Sequence, residues 1–107
     1  MLQFFEGELG KRLLNSPEVH REWSFNLRLD EDGTLLQGVM DCVFREEDKW
    51  VLVDYKTDRI EDEQAFVERY TLQLHWYQQA LERITGLPVK EKWLYALGRG
   101  KAYRVLP

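Results

Sequence analysis

The chain has 107 residues, 44% hydrophobic and 13% aromatic, with 15 basic and 19 acidic side chains and a net charge of −4. That makes one domain around a single core, excludes a disordered chain, and leaves no apolar run near the ~20 residues that span a bilayer, so no membrane partner is expected. The acidic balance gives no bulk attraction to nucleic acid, and the lone Cys42 excludes an internal disulfide or cysteine-cluster metal site and fits a reducing compartment.

Residues 2–14 carry Leu2, Phe5, Leu9 and Leu13 at the spacing of one short amphipathic helix, ended by Asn15-Ser16-Pro17. Over residues 19–29 the period changes to two. Val19, Trp23, Phe25, Leu27 and Leu29 take one face; His20, Glu22, Ser24, Asn26 and Arg28 take the other, as in a half-buried strand. Asp30-Glu31-Asp32-Gly33 is a turn, and residues 34–45 form the second strand. The charged cluster Arg45-Glu46-Glu47-Asp48-Lys49 separates it from a third strand at residues 50–56. The second and third strands are apolar on both faces, so helices are expected across both sides of the sheet.

Residues 61–85 read as helical, with Tyr70-Thr71 a point of interruption, and Phe66, Tyr70, Leu74, Tyr77, Leu81 and Ile84 as the core stripe. Gly86-Leu87-Pro88 stops that helix. A strand at residues 90–97, a turn at Gly98-Arg99-Gly100-Lys101 and a short strand at residues 102–106 complete the chain. The order α-β-β-β-α-β-β predicts an α/β (α+β) fold with a mixed sheet flanked by helices, because the long helix is connection enough for a parallel crossover. With a helix directly after Met1 and a strand almost at the end, the chain is expected to be a piece cut from a larger polypeptide.

The chemistry gathers in the hairpin at residues 38–57. Asp41 stands between Met40 and Cys42, and the third strand closes with Asp54-Tyr55-Lys56. An ionised carboxylate in an apolar strand needs a partner, a metal ion or a raised pKa. If the second turn is centred between Glu47 and Asp48, Asp41 faces Asp54. If the first is centred between Glu31 and Asp32, Glu22 faces Asp41, and centring it on Asp32-Gly33 only moves Glu22 along the same face. Three acids would then line one face, with Lys56 two residues past Asp54 on that face. Trp23, Phe25, Leu27, Met40, Phe44, Val51 and Val53 would form a core on the opposite one.

Carboxylates so placed repel unless protonated or bridged by a cation. Oxygen ligands suit Mg²⁺ or Mn²⁺, which could activate water for in-line attack on a phosphate while Lys56 orients the water or neutralises charge. That set of groups points to phosphodiester hydrolysis. Plainer readings stand beside it. Asp41 and Lys56 could form a structural cross-strand salt bridge, and Glu22 could be a solvated edge residue. His20 and His75 stand alone, without a second histidine at ligand spacing. The four tryptophans read as core or rim, and Gln73 and Tyr77, one helical turn apart, could simply cap the sheet.

Gly38-Val39-Met40-Asp41, then Asp54-Tyr55-Lys56-Thr57, then Gln73-Leu74-His75-Trp76-Tyr77 resembles the motif series of the RecB-like branch of the PD-(D/E)XK nucleases. Within that branch the chain is similar to the C-terminal nuclease domains of AddA-type ATP-dependent helicase–nucleases. The resemblance implies a restriction-endonuclease-like core and metal-dependent exonuclease action on DNA in bacterial double-strand-break repair and recombination, in the cytoplasm. It implies as partners the helicase portion of the same polypeptide and an AddB-like second subunit. It makes Asp41, Asp54 and the Tyr55 carbonyl metal ligands and Lys56 the catalytic lysine, with Gln73 and Tyr77 supporting the site near the DNA backbone. The family also places a metal-binding residue, commonly histidine, on a helix upstream of the first strand. The N-terminal helix here has none, and His20 lies on the strand after it. The alternative is therefore a catalytically incomplete nuclease fold used for DNA binding or for docking of a second subunit. With Cys42 alone, the four-cysteine iron–sulfur staple of some relatives cannot form.

Overall fold

The structure, a computed structural model, describes residues 2–28 and 31–106. Leu29 and Asp30, assigned from sequence to the end of the first strand and its turn, lie outside the described residues. The elements are α1 (Leu2–Glu6), α2 (Glu8–Leu14), β1 (Val19–Arg28), β2 (Leu35–Glu46), β3 (Lys49–Lys56), α3 (Glu63–Thr85), β4 (Val89–Ala96) and β5 (Lys101–Arg104). The strands form one sheet in the order β1-β2-β3-β4-β5. All neighbours are antiparallel except β3 and β4, which α3 joins as a parallel crossover.

Both faces of the sheet are covered. On one side Phe66, Leu74, Ala80 and Leu81 of α3 pack on Val43, Trp50, Leu52 and Leu94; on the other, Phe4, Leu9 and Leu13 pack on Cys42, Phe44, Val51, Val53 and Tyr95. Cys42 is a core residue, its thiol pushed up to about 11 by burial.

α3 runs unbroken through Tyr70-Thr71. Asp62 caps it, its carboxylate accepting from the backbone N–H of Gln64 (3.0 Å) and Ala65 (3.2 Å), and Gly86 ends it in the left-handed region at φ 74°. Thr85 faces the sheet and accepts a hydrogen bond from Trp50 Nε1 at 2.9 Å. Ile84, expected in the core stripe, is exposed, because Leu81 and Thr85, four apart, carry the last sheet-facing line.

The single N-terminal helix expected from spacing is two. Gly7 is extended (φ −81°, ψ 170°), breaking the run so that α2 folds back on α1. Arg12 of α2 then reaches across the sheet end, pairing with Glu46 (2.6 Å) and Glu91 (2.9 Å), while Lys90 also meets Glu46 at 2.9 Å. These cations hold the Glu46 carboxyl down at about 2, Arg12 first.

The β2–β3 hairpin has the expected register, with Cys42 opposite Val53 and Val43 opposite Leu52. Its two turn residues, Glu47 and Asp48, have φ 53° and 63°, the double left-handed geometry of a two-residue hairpin turn. β1 pairs with β2 as expected too, but the faces differ. Val19 packs with the α1–α2 cluster, whereas Trp23, Phe25 and Leu27, of the same parity, pack with α3. Between them Glu22 has φ 51°, and it drops out of the otherwise continuous pairing of Arg21 with Cys42 and Trp23 with Met40. This left-handed residue rotates the strand by one face. The expected core is split: Trp23, Phe25 and Leu27, turned at Glu22, lie on the α3 side together with Met40 of β2, and Phe44, Val51 and Val53 lie on the other.

The return of α2 onto α1 depends on Gly10, where a Cβ would stand 2.2 Å from Phe4 O and 2.6 Å from Phe5 Cα, both backbone. Gly10→Ala is expected to lower unfolding free energy by ~1–3 kcal/mol in urea titration, as for other overpacked sites. Gly7→Ala, whose Cβ would meet only Phe4 O at 3.5 Å, is expected to change it by much less.

Candidate active site

The alternation of β3 sends Trp50, Leu52, Asp54 and Lys56 toward α3, and the last two bring charge into that layer. Asp54 is 4% exposed. Lys56 Nζ stands 2.9 Å from Asp54 Oδ2, an ion pair off the line of a directed hydrogen bond, so this buried oxygen is met by the charge of the ammonium alone. The ammonium donates instead to Gln73 Oε1 at 2.9 Å, and Gln73 Nε2 donates to the Tyr77 hydroxyl at 3.1 Å. The Tyr77 ring meets Phe25 edge-on at 5.5 Å and passes over Gly38, where a Cβ would come within 3.1 Å of it and 3.0 Å of Phe25. That crowding accounts for the glycine at the head of Gly38-Val39-Met40-Asp41.

Asp41 sits beside Asp54, within hydrogen-bonding reach of its carboxyl. Its Oδ2 accepts the backbone N–H of Tyr55 at 2.8 Å, which fixes the carboxylate on the neighbouring strand. The Tyr55 ring points the other way, edge-on to Phe4 at 5.4 Å. Burial and then Asp41 push Asp54 up to about 7, against the pull of Lys56.

Asp41, Asp54, Lys56, Gln73 and Tyr77, drawn from β2, β3 and α3, thus form one connected group. Glu22 does not join it. It is exposed in its left-handed position, and among the described residues no group of three or more His, Cys, Asp or Glu side chains is placed to hold a metal ion. The expected row of three acids is therefore a pair. That pair still suits a hard divalent cation: two carboxylates lie side by side, and one has a buried oxygen met only by the Lys56 ammonium, a donor set of the size Mg²⁺ commonly takes from protein.

The histidines hold other positions. His20 meets Glu18 at 2.7 Å and packs 4.4 Å from the Trp23 ring, and His75 is exposed against Trp76. Two neighbours of the site, Tyr70 and Asp58, are not singled out by the sequence motifs. Tyr70 presents its ring face 3.9 Å from Lys56 Nζ, and its hydroxyl donates to Asp58 Oδ2 at 2.6 Å, which raises the phenol pKa. The available signal is the helical offset of Tyr70 from Gln73, three residues, which gives them a common face.

The raised pKa of Asp54 has a stability consequence. Its contribution is fully present below the unfolded value of 3.8 and is lost as pH rises through about 7. In EDTA, Asp54→Asn is expected to stabilise the chain by roughly 1–3 kcal/mol at pH 8, with the lost Lys56 pair offsetting part of the gain. The advantage should shrink as pH falls toward 5 in thermal melts.

A model of the PD-(D/E)XK nuclease superfamily matches residues 1–106. An ATP-dependent helicase/nuclease subunit of Clostridium botulinum (strain Hall) is 42% identical over 109 residues, covering 89% of this chain and 8% of the relative. One from Clostridium acetobutylicum is 37% identical over 120 residues, covering 98% of this chain and 10% of the relative. The chain spans a tenth or less of the length of these curated relatives. The strand order, the carboxylate pair with its lysine, and a family match over almost every residue agree, and the chain belongs to the PD-(D/E)XK nuclease superfamily.

Proposed function

We propose that this chain is the nuclease domain of a larger ATP-dependent helicase–nuclease and hydrolyses phosphodiester bonds of DNA with Mg²⁺ or Mn²⁺, as an exonuclease in double-strand-break repair and recombination. The observation that supports this reading is the pairing of buried Asp54 with half-buried Asp41, the Lys56 ammonium 2.9 Å from the Asp54 carboxylate. The relatives' name and their much greater length support the helicase context. Under this reading the partners are DNA, the helicase portion of the same polypeptide and an AddB-like second subunit.

Asp41 and Asp54 would hold the cation, with the Tyr55 carbonyl as a further oxygen. When bound, a divalent cation supplies charge neutralisation at phosphate and lowers the pKa of coordinated water. Asp41 is oriented for this by the Tyr55 N–H. Lys56 brings a fixed ammonium to the edge of the pair, where it can orient an attacking water or offset charge developing on a phosphoryl oxygen. Gln73 anchors that ammonium and is itself held by Tyr77. Proximity and charge, rather than a covalent intermediate on the protein, are the means of catalysis.

The second reading, a nuclease fold kept for DNA binding or docking, is favoured by one observation: among the described residues the acids form a pair, without a third metal-binding side chain. Calorimetric titration with Mn²⁺ tests the site directly. Wild type is expected to give weak binding heat and Asp41→Ala none; identical heats would remove the metal reading. For cleavage, Lys56→Ala is expected to lower Mg²⁺-dependent DNA hydrolysis by the intact helicase–nuclease ~10²–10³-fold, with the 107 residues alone cutting poorly. Robust cleavage by the 107-residue chain, abolished by Lys56→Ala, would overturn the incomplete-site reading.

A further inference from the structure

Lys56 has a partner that none of the roles above uses. Its Nζ stands 3.9 Å from the centroid of the Tyr70 ring, while Asp54 Oδ2 and Gln73 Oε1 are each 2.9 Å away. The three surround an ammonium whose side chain is 15% exposed. Tyr70 and Gln73 come from one face of α3, so a single helix brings both the ring and the amide to the lysine.

The ring is itself held. Its hydroxyl donates to Asp58 Oδ2 at 2.6 Å, Phe66 packs against it edge-on at 5.6 Å, and Arg69 stands 3.6 Å from the same Asp58 oxygen. Donation of the phenol proton to a carboxylate shifts electron density into the ring and strengthens its pull on a cation. Asp58 lies two residues beyond Lys56, so the segment that carries the lysine also carries the group that orients the ring facing it.

A lysine on four rotatable bonds loses much side-chain freedom when fixed, so a fixed position needs partners that hold it. Of its three partners, Asp54 is the one whose charge a second cation would claim. Gln73 and the Tyr70 face are neutral and keep their attraction whatever Asp54 carries. We propose that Tyr70, oriented by Asp58, is the positioning residue for Lys56, holding the ammonium at the carboxylate pair when Asp54 is otherwise engaged. Its importance for DNA cleavage rests on the proposed catalytic role of Lys56; the arrangement of ring and ammonium does not.

The test uses Tyr70→Phe, Tyr70→Leu, Asp58→Asn and replacement of Tyr70 by pentafluorophenylalanine, which keeps the shape of the ring and reverses its quadrupole. The first readout is NMR of the 107-residue chain labelled at lysine Cε. The Lys56 Hε resonance is expected upfield in wild type and Tyr70→Phe, from the ring current, and moved downfield in Tyr70→Leu. The second is cleavage by the intact helicase–nuclease. There Tyr70→Leu and the pentafluoro variant are expected to lower kcat about tenfold with KM for DNA unchanged. Tyr70→Phe should retain most activity, and Asp58→Asn should fall between. An Hε resonance that does not move between wild type and Tyr70→Leu overturns the proposal, as does a pentafluoro variant as active as Tyr70→Phe. Should Tyr70→Leu fail to fold, that last comparison decides. A resonance that moves as expected in an intact enzyme where Lys56→Ala changes nothing supports the positioning of Lys56 and overturns its catalytic reading.

Discussion

A carboxylate almost withdrawn from water is the constraint on which the rest of this structure depends. Asp54 stands in the layer between the sheet and α3, beside a second carboxylate, and both burial and that neighbour oppose its charge. Each surrounding feature answers this in part. Lys56 supplies opposite charge, Gln73 and the Tyr70 ring hold Lys56, and Tyr77 holds Gln73. Gly38 leaves room for Tyr77. The answer is incomplete, since the Asp54 carboxyl is still pushed up to about 7.

A single helix delivers most of this apparatus. α3 presents Tyr70 and Gln73 to Lys56 of β3 and Tyr77 to Phe25 and Gly38 of β1 and β2 over less than half its length, and the remainder packs as ordinary core through Ala80 and Leu81. Its two ends are fixed independently of the site, by the Asp62 cap at one end and by Trp50 binding Thr85 at the other. The site residues therefore sit mid-helix on a rigid support, where their spacing is set by backbone geometry rather than by loop conformation.

Much of this is legible in the residues. A two-residue turn within a charged cluster sets a hairpin's register, and the turn at Glu47 and Asp48 puts Asp41 beside Asp54 from the numbering of the residues alone. Which side chains share a face with them is not legible. Alternation implies a regular β1, and a glutamate in the left-handed region carries no composition signal as a glycine would. Glu22 turns the strand there, so Trp23, Phe25 and Leu27, expected behind the site, lie on its side, as does Met40 of β2. The break at Gly7 is hidden by Phe5, Leu9 and Leu13, whose four-residue spacing reads as one continuous helix. Tyr70 is hidden by its own plausibility: a tyrosine on a core stripe reads as packing, and only the folded chain puts a cation over it.

Glu22 has a second effect, on how this molecule meets others. β1 is an outermost strand of ten residues, and among the described residues one row of its backbone donors and acceptors has no neighbouring strand. A long, straight border of that kind is a template on which a foreign strand can add. One residue with reversed twist in the middle divides the border into two short lengths that no flat partner can follow at once. The exposed Arg21, Glu22 and Arg28 add charge along it. The residue that turns Trp23 and Phe25 of β1 toward α3 also interrupts the edge on which a foreign strand would add.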